Sequence, residues 1–288
     1  MAVFPDFLIV GAPKCATTSL AHYLGEHEKI FIPTEGEPHF YTYVAEERPH
    51  WGVGSVEDYV RLFEDADSEQ LYGEKSTWYL YSSTAAEQIQ KYAPDTKCIA
   101  LLRQPVDRAY SHWSFRIQND WETLGFREAI AAEQERIENG AFWGTHYMHA
   151  GRYHEQLLRF YDRLGPEQVL VLWFEDLARD SAAVVREALS FLGLAPNDSS
   201  GTDEAHNTTT LPRSQMLNRL RRSPLIRRVA HAFPDTIRVL CRKVYQRLNM
   251  AERPSLDPNV RAELTARLAP DIKRLQRLLD EDLSHWIE

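Results

Sequence analysis

The sequence predicts an α/β fold, a parallel β-sheet flanked by helices on both sides, and three observations carry that prediction. Short, nearly continuous apolar runs recur at Phe7-Leu8-Ile9-Val10, Lys97-Cys98-Ile99-Ala100-Leu101-Leu102 and Val169-Leu170-Val171-Leu172-Trp173-Phe174. The first two are followed by a turn signal and a helical pattern, and long amphipathic stretches lie between the second and third. No internal repeat interrupts the alternation, and strands alternating with helices assemble into parallel sheets through helical crossovers.

Taken in order, Phe7–Val10 lies between Pro5-Asp6 and Gly11-Ala12-Pro13, as a strand buried on both faces should. Thr17-Thr18-Ser19 opens a helix with Leu20, Tyr23 and Leu24 on one face, ending near Gly25. The run at 97–102 stops at Arg103-Gln104-Pro105, with a helix beginning near Val106 or Asp107. Phe126 to Asn139 and Gly151 to Leu164 read as amphipathic stretches, and the third run ends at Glu175-Asp176. Residues 197–210 are polar and read as a loop. From Asp257 to the end, Val260, Leu264, Leu268, Leu275, Leu278 and Leu279 mark one or two closing helices. Residues 1–288 are thus read as a single domain, with 211–250 as a basic, mainly helical insert or cap.

At 288 residues and 43% hydrophobic content the chain can bury a core, which excludes a disordered chain or a coiled coil. A formal charge of −9 argues against a nucleic-acid binder coated in positive charge. Cys15, Cys98 and Cys241 are odd in number, far apart and form no CxxC pair, which fits a reduced compartment and no metal cluster. The N-terminal apolar run has no basic residue before it, unlike a signal peptide. No stretch approaches the roughly 18 apolar residues of a membrane span. A cytoplasmic location is expected.

Gly11-Ala12-Pro13-Lys14-Cys15-Ala16-Thr17-Thr18-Ser19-Leu20 joins the first strand to its helix. A helix start has unpaired N–H groups and the positive end of the dipole, and Lys14 with three hydroxyls adds charge and donors, which suits a phosphate or sulfate. The segment lacks the second glycine of GxxxxGK[ST] and places Lys14 before the hydroxyls, so it is P-loop-like in mechanics only. An ordinary capped helix start is the simpler alternative.

PKCATTSL resembles the 5′-phosphosulfate loop of sulfotransferases, which use 3′-phosphoadenosine 5′-phosphosulfate (PAPS) as donor. Further segments match in the same order. Glu37-Pro38-His39-Phe40-Tyr41 is similar to the KEPHFF segment of the branch that sulfates heparan-type glycans, with Gly36 in place of Lys. Gly73-Glu74-Lys75-Ser76-Thr77-Trp78-Tyr79-Leu80 resembles that branch's EKxPxYF segment. Arg103 to Ser111 is similar to the family's 3′-phosphate signature, and Asp282-Leu283-Ser284-His285-Trp286 to its closing DLSxW.

The resemblance implies roles. Pro13, Lys14, Cys15, Ala16, Thr17, Thr18 and Ser19 hold the 5′-phosphosulfate, with Lys14 meeting charge on the bridging oxygen. Glu37 is the general base, Glu35 and His39 being alternatives. Lys75, placed after a turn, approaches acceptor and sulfate, and Trp78, Tyr79 and Tyr81 form either an acceptor wall or plain core. Arg103 and Ser111 take the 3′-phosphate, while Arg108 is as readily a surface ion-pair residue. PAP is the product and no metal is needed. His146, His149 and His154 lack metal-ligand spacing, and Gly151-Arg152-Tyr153, a helix start in the family, points to packing. The acceptor is a small molecule, lipid or carbohydrate with a free hydroxyl. Competing readings are a P-loop-type ATP-dependent kinase, with Glu175-Asp176 for Mg²⁺, and a non-catalytic nucleotide- or anion-binding module.

Residues 211–250 carry ten Lys or Arg against a single acid, Asp235. Their start, with Arg213 and Ser214, falls where family members close a basic loop over the cofactor. The other basic residues form either a solvated helix face or a surface that steers an anionic acceptor, or an anionic membrane, toward the site.

Overall fold

A computed structural model describes residues 4–34, 36–43, 52–67, 70–195, 210–212, 250–252 and 254–288. Five strands form one parallel sheet: β1 (Phe7–Gly11), β2 (Ile30–Phe31), β3 (Leu71–Lys75), β4 (Lys97–Leu102) and β5 (Val169–Trp173), in the order β2-β3-β1-β4-β5. Every residue of β1 and all but the first of β4 are buried. Central strands reach that state only when both faces of the sheet are covered.

The expected first unit is present: β1, a tight loop, then α1 (Thr17–Gly25). It is followed by α2 (Phe40–Tyr43), α3 (Val56–Arg61), α4 (Ala85–Tyr92) and α5 (Pro105–Gln118). Next come α6 (Phe126–Ala131), α7 (Glu133–Glu138), α8 (Tyr153–Leu164), α9 (Phe174–Arg179), α10 (Ser181–Leu192) and α11 (Pro258–Leu279). Local signals set the ends: the Asp180 side chain accepts from Ala183 N–H at the start of α10, and Gly193, at φ 83°, closes it. A short antiparallel ladder pairs β6 (Thr210–Pro212) with β7 (Met250–Glu252), which brings the two ends of the basic stretch side by side. Arg213, Ser214 and the basic residues after them lie outside the described residues.

Three details differ from the sequence reading. Phe126 to Asn139 is two helices meeting at Ala132, and Phe174 begins α9 instead of closing β5. Lys75 does not follow a turn; it ends β3, a strand the apolar-run criterion passes over because it reads LYGEK. Gly73 pairs with Phe7, and a Cβ there would come within 2.1 Å of the Phe7 ring, so the glycine leaves room for an aromatic of β1. The described chain falls into two units, one from residues 1–108, 149–206 and 265–288, which holds the sheet, the other from 109–148 and 207–264. No helix among the described residues is long and apolar enough to cross a membrane.

Candidate active site

The β1–α1 loop combines charge with exposed backbone donors. Lys14 and Ala16 adopt left-handed backbone, φ 72° and 64°, a conformation that L-residues hold only when their surroundings enforce it. Cys15 N–H pairs with Ala12 O at 3.3 Å and Ser19 N–H with Ala16 O at 3.0 Å, so the donors that a helix start leaves for an anion are the N–H groups of Thr17 and Thr18. Thr17 and Ser19 are buried and Thr18 is exposed, so the hydroxyls line the loop at different depths. The donor set fits a bound phosphosulfate. Gly11 lets the loop approach the segment after β3: a Cβ there would lie 2.8 Å from Leu80 Cβ and 3.0 Å from Thr77 O.

Across from the loop, Glu37 is held from three sides. Lys75 Nζ donates to its Oε1 at 2.6 Å, while Thr77 N–H and Oγ1 donate to Oε2 at 3.0 and 2.8 Å. His39 Nε2 lies 3.2 Å from the same Oε2. Lys75 also reaches Thr18 Oγ1 at 3.4 Å, which joins the Glu37 cluster to the anion loop. Burial alone would push the Glu37 carboxyl up, but the His39 hydrogen bond and the Lys75 charge outweigh it and hold the group well below the usual carboxylate range. Gly36, which departs from the resembling motif, has φ 93°, a conformation open to glycine and strained for lysine. Glu35 lies outside the described residues.

The aromatic segment after Lys75 divides in two. Tyr79 is fully buried and donates to Glu74, so it belongs to the core and not to an acceptor wall. Trp78 and Tyr81 are half-buried, edge to face at 5.7 Å, and Tyr81 Oη meets His149 Nδ1 at 2.7 Å.

Arg103 ends β4 with its guanidinium over the Phe174 ring at 4.1 Å, and its carbonyl accepts from Tyr153 Oη at 3.0 Å. Ser111, buried, lies two turns along α5. Arg108 corrects an expectation: it is fully buried and not a surface ion-pair residue. The Cys15 thiol, 4.0 Å from Tyr153 Oη, is pushed up to about 11 by burial, against the pull of Arg108 and Arg103, and so stays protonated. Gly151 packs against Pro105, where a Cβ would fall 2.9 Å from Pro105 Cβ, as the packing reading of that stretch expected. No group of three metal-ligating side chains occurs among the described residues. Trp286 is buried against Trp173, and its carbonyl accepts from Gln104 Nε2 at 3.0 Å, tying the C-terminal segment to the end of β4.

Sequence reasoning missed Thr77 as the second clamp on Glu37 and the buried acceptor Glu74. The alternation of a strand over 71–75, sending Glu74 and Lys75 to opposite faces, was the available signal.

Comparison with known proteins gives a consistent result. A family model for the sulfotransferase domain matches residues 4–221. The crystal structure of a sulfotransferase from Alicyclobacillus acidocaldarius is 32% identical, covers 99% of this chain and 100% of its own, and superposes with a TM-score of 0.78. Carbohydrate sulfotransferase 15 of Mus musculus is 26% identical over 67% of this chain and 44% of its own length. Bifunctional heparan sulfate N-deacetylase/N-sulfotransferase 3 of Homo sapiens is 27% identical over 67% of this chain and 23% of its own length. The chain thus spans less than half the length of these curated relatives.

Proposed function

Because the chain belongs to the sulfotransferase family, we propose that it transfers a sulfuryl group from PAPS to a hydroxyl of a small-molecule, lipid or carbohydrate acceptor. The observation that carries this reading is the Glu37–Lys75–Thr18 connection, which puts an ionised carboxylate within one lysine of a loop suited to a phosphosulfate.

In the proposed reaction Glu37 takes the acceptor proton as the acceptor oxygen bonds to sulfur. The bond from sulfur to the 5′-phosphate oxygen breaks, and the electron pair stays on the phosphate. Lys14 and the α1 N-terminus meet the charge gathering there, in the manner of an oxyanion hole. A carboxylate held at low proton affinity is a weak base, and Lys75 resolves this: once an anion draws Nζ toward Thr18, Glu37 loses a stabilising charge and binds a proton more tightly. Arg103, with Ser111 on the resemblance alone, is assigned to the 3′-phosphate, and Arg213 and Ser214 to closure over it. No metal enters the scheme. A cytoplasmic location and a steering role for the basic stretch belong to the same proposal.

The names of the relatives include both a carbohydrate and an N-sulfotransferase, so an amine nitrogen is a second acceptor class served by the same base. The kinase alternative is poorly supported: Asp176 pairs with Arg179 at 2.6 Å and Glu175 accepts from Gln104 N–H. Calorimetry with PAP, AMP and ATP·Mg tests the donor; PAP binding no tighter than AMP overturns the reading. Labelled PAPS offered with hydroxyl- and amine-bearing metabolites then separates the acceptor classes and distinguishes an enzyme from a binding module.

A further inference from the structure

Behind Glu37 lies a second carboxylate, fully buried and surrounded by hydroxyls. Glu74 Oε2 accepts from Tyr59 Oη at 2.6 Å and from Tyr79 Oη at 3.1 Å, and Oε1 accepts from Ser76 Oγ. Tyr59, Tyr79 and Ser76 are themselves fully buried. Neighbouring side chains of a strand point to opposite faces, so Glu74 turns inward where Lys75 turns to the site. An ionised acid costs several kcal/mol to bury without partners. A leucine would serve packing alone at no such cost.

The network has an outlet. Ser76 Oγ, its proton committed to Glu74, accepts the backbone N–H of His39 at 2.9 Å. His39 is 2% exposed and held at φ 51°, left-handed backbone that costs energy for a residue with a Cβ. Thr42 Oγ1 secures the His39 carbonyl at 2.8 Å, and the Tyr79 ring stands edge-on to the imidazole at 6.2 Å. The side chain so fixed delivers Nε2 to Glu37 Oε2 at 3.2 Å. A serine hydroxyl has one proton, and its direction decides whether a lone pair faces His39 N–H. The acceptor at Glu74 Oε1 sets that direction.

We propose that Glu74 is a positioning residue: through Ser76 it fixes the His39 turn and so sets the orientation of the catalytic carboxylate Glu37. The role rests on the sulfotransferase reading for its purpose, though not for its geometry. Burial pushes the Glu74 carboxyl up, against the pull of the three hydroxyl donors. The groups facing Glu37 are Lys75, His39 and Thr77, and of these the relay acts on His39 alone.

The test compares wild type with Ser76→Ala and Glu74→Gln by carbon-13 carboxyl NMR, with the Glu37 signal identified by its loss in Glu37→Gln. PAP titration calorimetry runs in parallel. Freed of the relay, His39 releases Glu37, whose carboxyl titrates at higher pH than in wild type, and the His39 amide exchanges faster with solvent. PAP affinity is unchanged, because the anion loop lies on another element. A residue with a merely structural role lowers the melting temperature and moves neither signal. Folded Ser76→Ala with wild-type Glu37 titration and His39 exchange overturns the proposal, and Ser76→Ala alone decides if Glu74→Gln does not fold. Failure of wild type to bind PAP overturns the sulfotransferase reading instead, while the NMR comparison still decides whether Glu74 controls Glu37.

Discussion

Lys75 Nζ donates to Glu37 Oε1 across 2.6 Å, at the end of a central strand and on the edge of solvent, with side chains 14% and 25% exposed. The lysine keeps the carboxylate ionised and, through Thr18, is in reach of the anion loop. Lys75→Met is expected to lower kcat about 100-fold or more, on the scale of one lost preorganised donor. Glu37→Gln should lower it by a comparable factor, roughly the 10²–10⁴ of a lost general base. Both proteins should still bind PAP, so calorimetry alongside steady-state rates checks the assignment. A Glu37→Gln enzyme with wild-type turnover would remove Glu37 as the base.

Gly11 is constrained by its neighbours. Leu80 Cβ and Thr77 O lie 2.8 and 3.0 Å from where a Cβ would stand, and Thr77 is one of the clamps on Glu37. Gly11→Ala is expected to cost about 1–3 kcal/mol of stability by overpacking and to lower turnover as Thr77 shifts. Denaturant unfolding gives the first quantity and the rate at saturating donor the second. Unchanged unfolding would show that the segment after β3 yields without resistance.

Much of the fold, and the β1–α1 loop proposed to hold an anion, is legible in the residues alone, and the reason is physical. A strand buried on both faces must be nearly continuous in apolar residues, so β1 and β4 announce themselves as FLIV and CIALL, while the half-buried edge strand β5 is found by its apolar run VLVLW. A helix start that meets an anion must display donors, so Lys14 and Thr17 to Ser19 stand out. β3 is hidden because its buried polar residue is offset by hydroxyls distant in sequence, Tyr59 above all. Arg108 is misread for a related reason: a cation at a helix start looks solvated until the elements around it are known. The orientation of Glu37 likewise depends on His39 and Thr77 arriving from two segments.

Cys15 sits inside the anion loop yet is expected to be chemically quiet. Burial raises its thiol to about 11, so almost none is thiolate near neutral pH. Alkylation by iodoacetamide at pH 8 should be slow in the native protein and fast in denaturant, with the modified peptide identified by mass spectrometry. Cys15→Ser should keep PAP binding. Rapid native alkylation at Cys15 would mean that the loop opens far more readily than its packing implies.

The second unit contains a separate source of pH dependence. Glu122, its side chain 3% exposed, receives Arg136 Nη1 at 2.6 Å, Tyr147 Oη at 2.9 Å and the N–H groups of Thr123 and Leu124. Burial would raise its carboxyl pKa, but the Arg136 hydrogen bond and the two backbone donors prevail and lower it from 4.5 to about 2. A carboxyl depressed on folding adds stability that is present above its unfolded value. That contribution disappears as pH falls from about 4.5 toward about 2. The amount is on the order of 3 kcal/mol for a shift of that size. Glu122→Gln therefore should flatten the stability profile across that window and lower stability at pH 7, where a neutral amide leaves Arg136 without its counter-charge. Urea unfolding at a series of pH values measures both effects, and equal slopes for variant and wild type below pH 4.5 would show that Glu122 does not supply them.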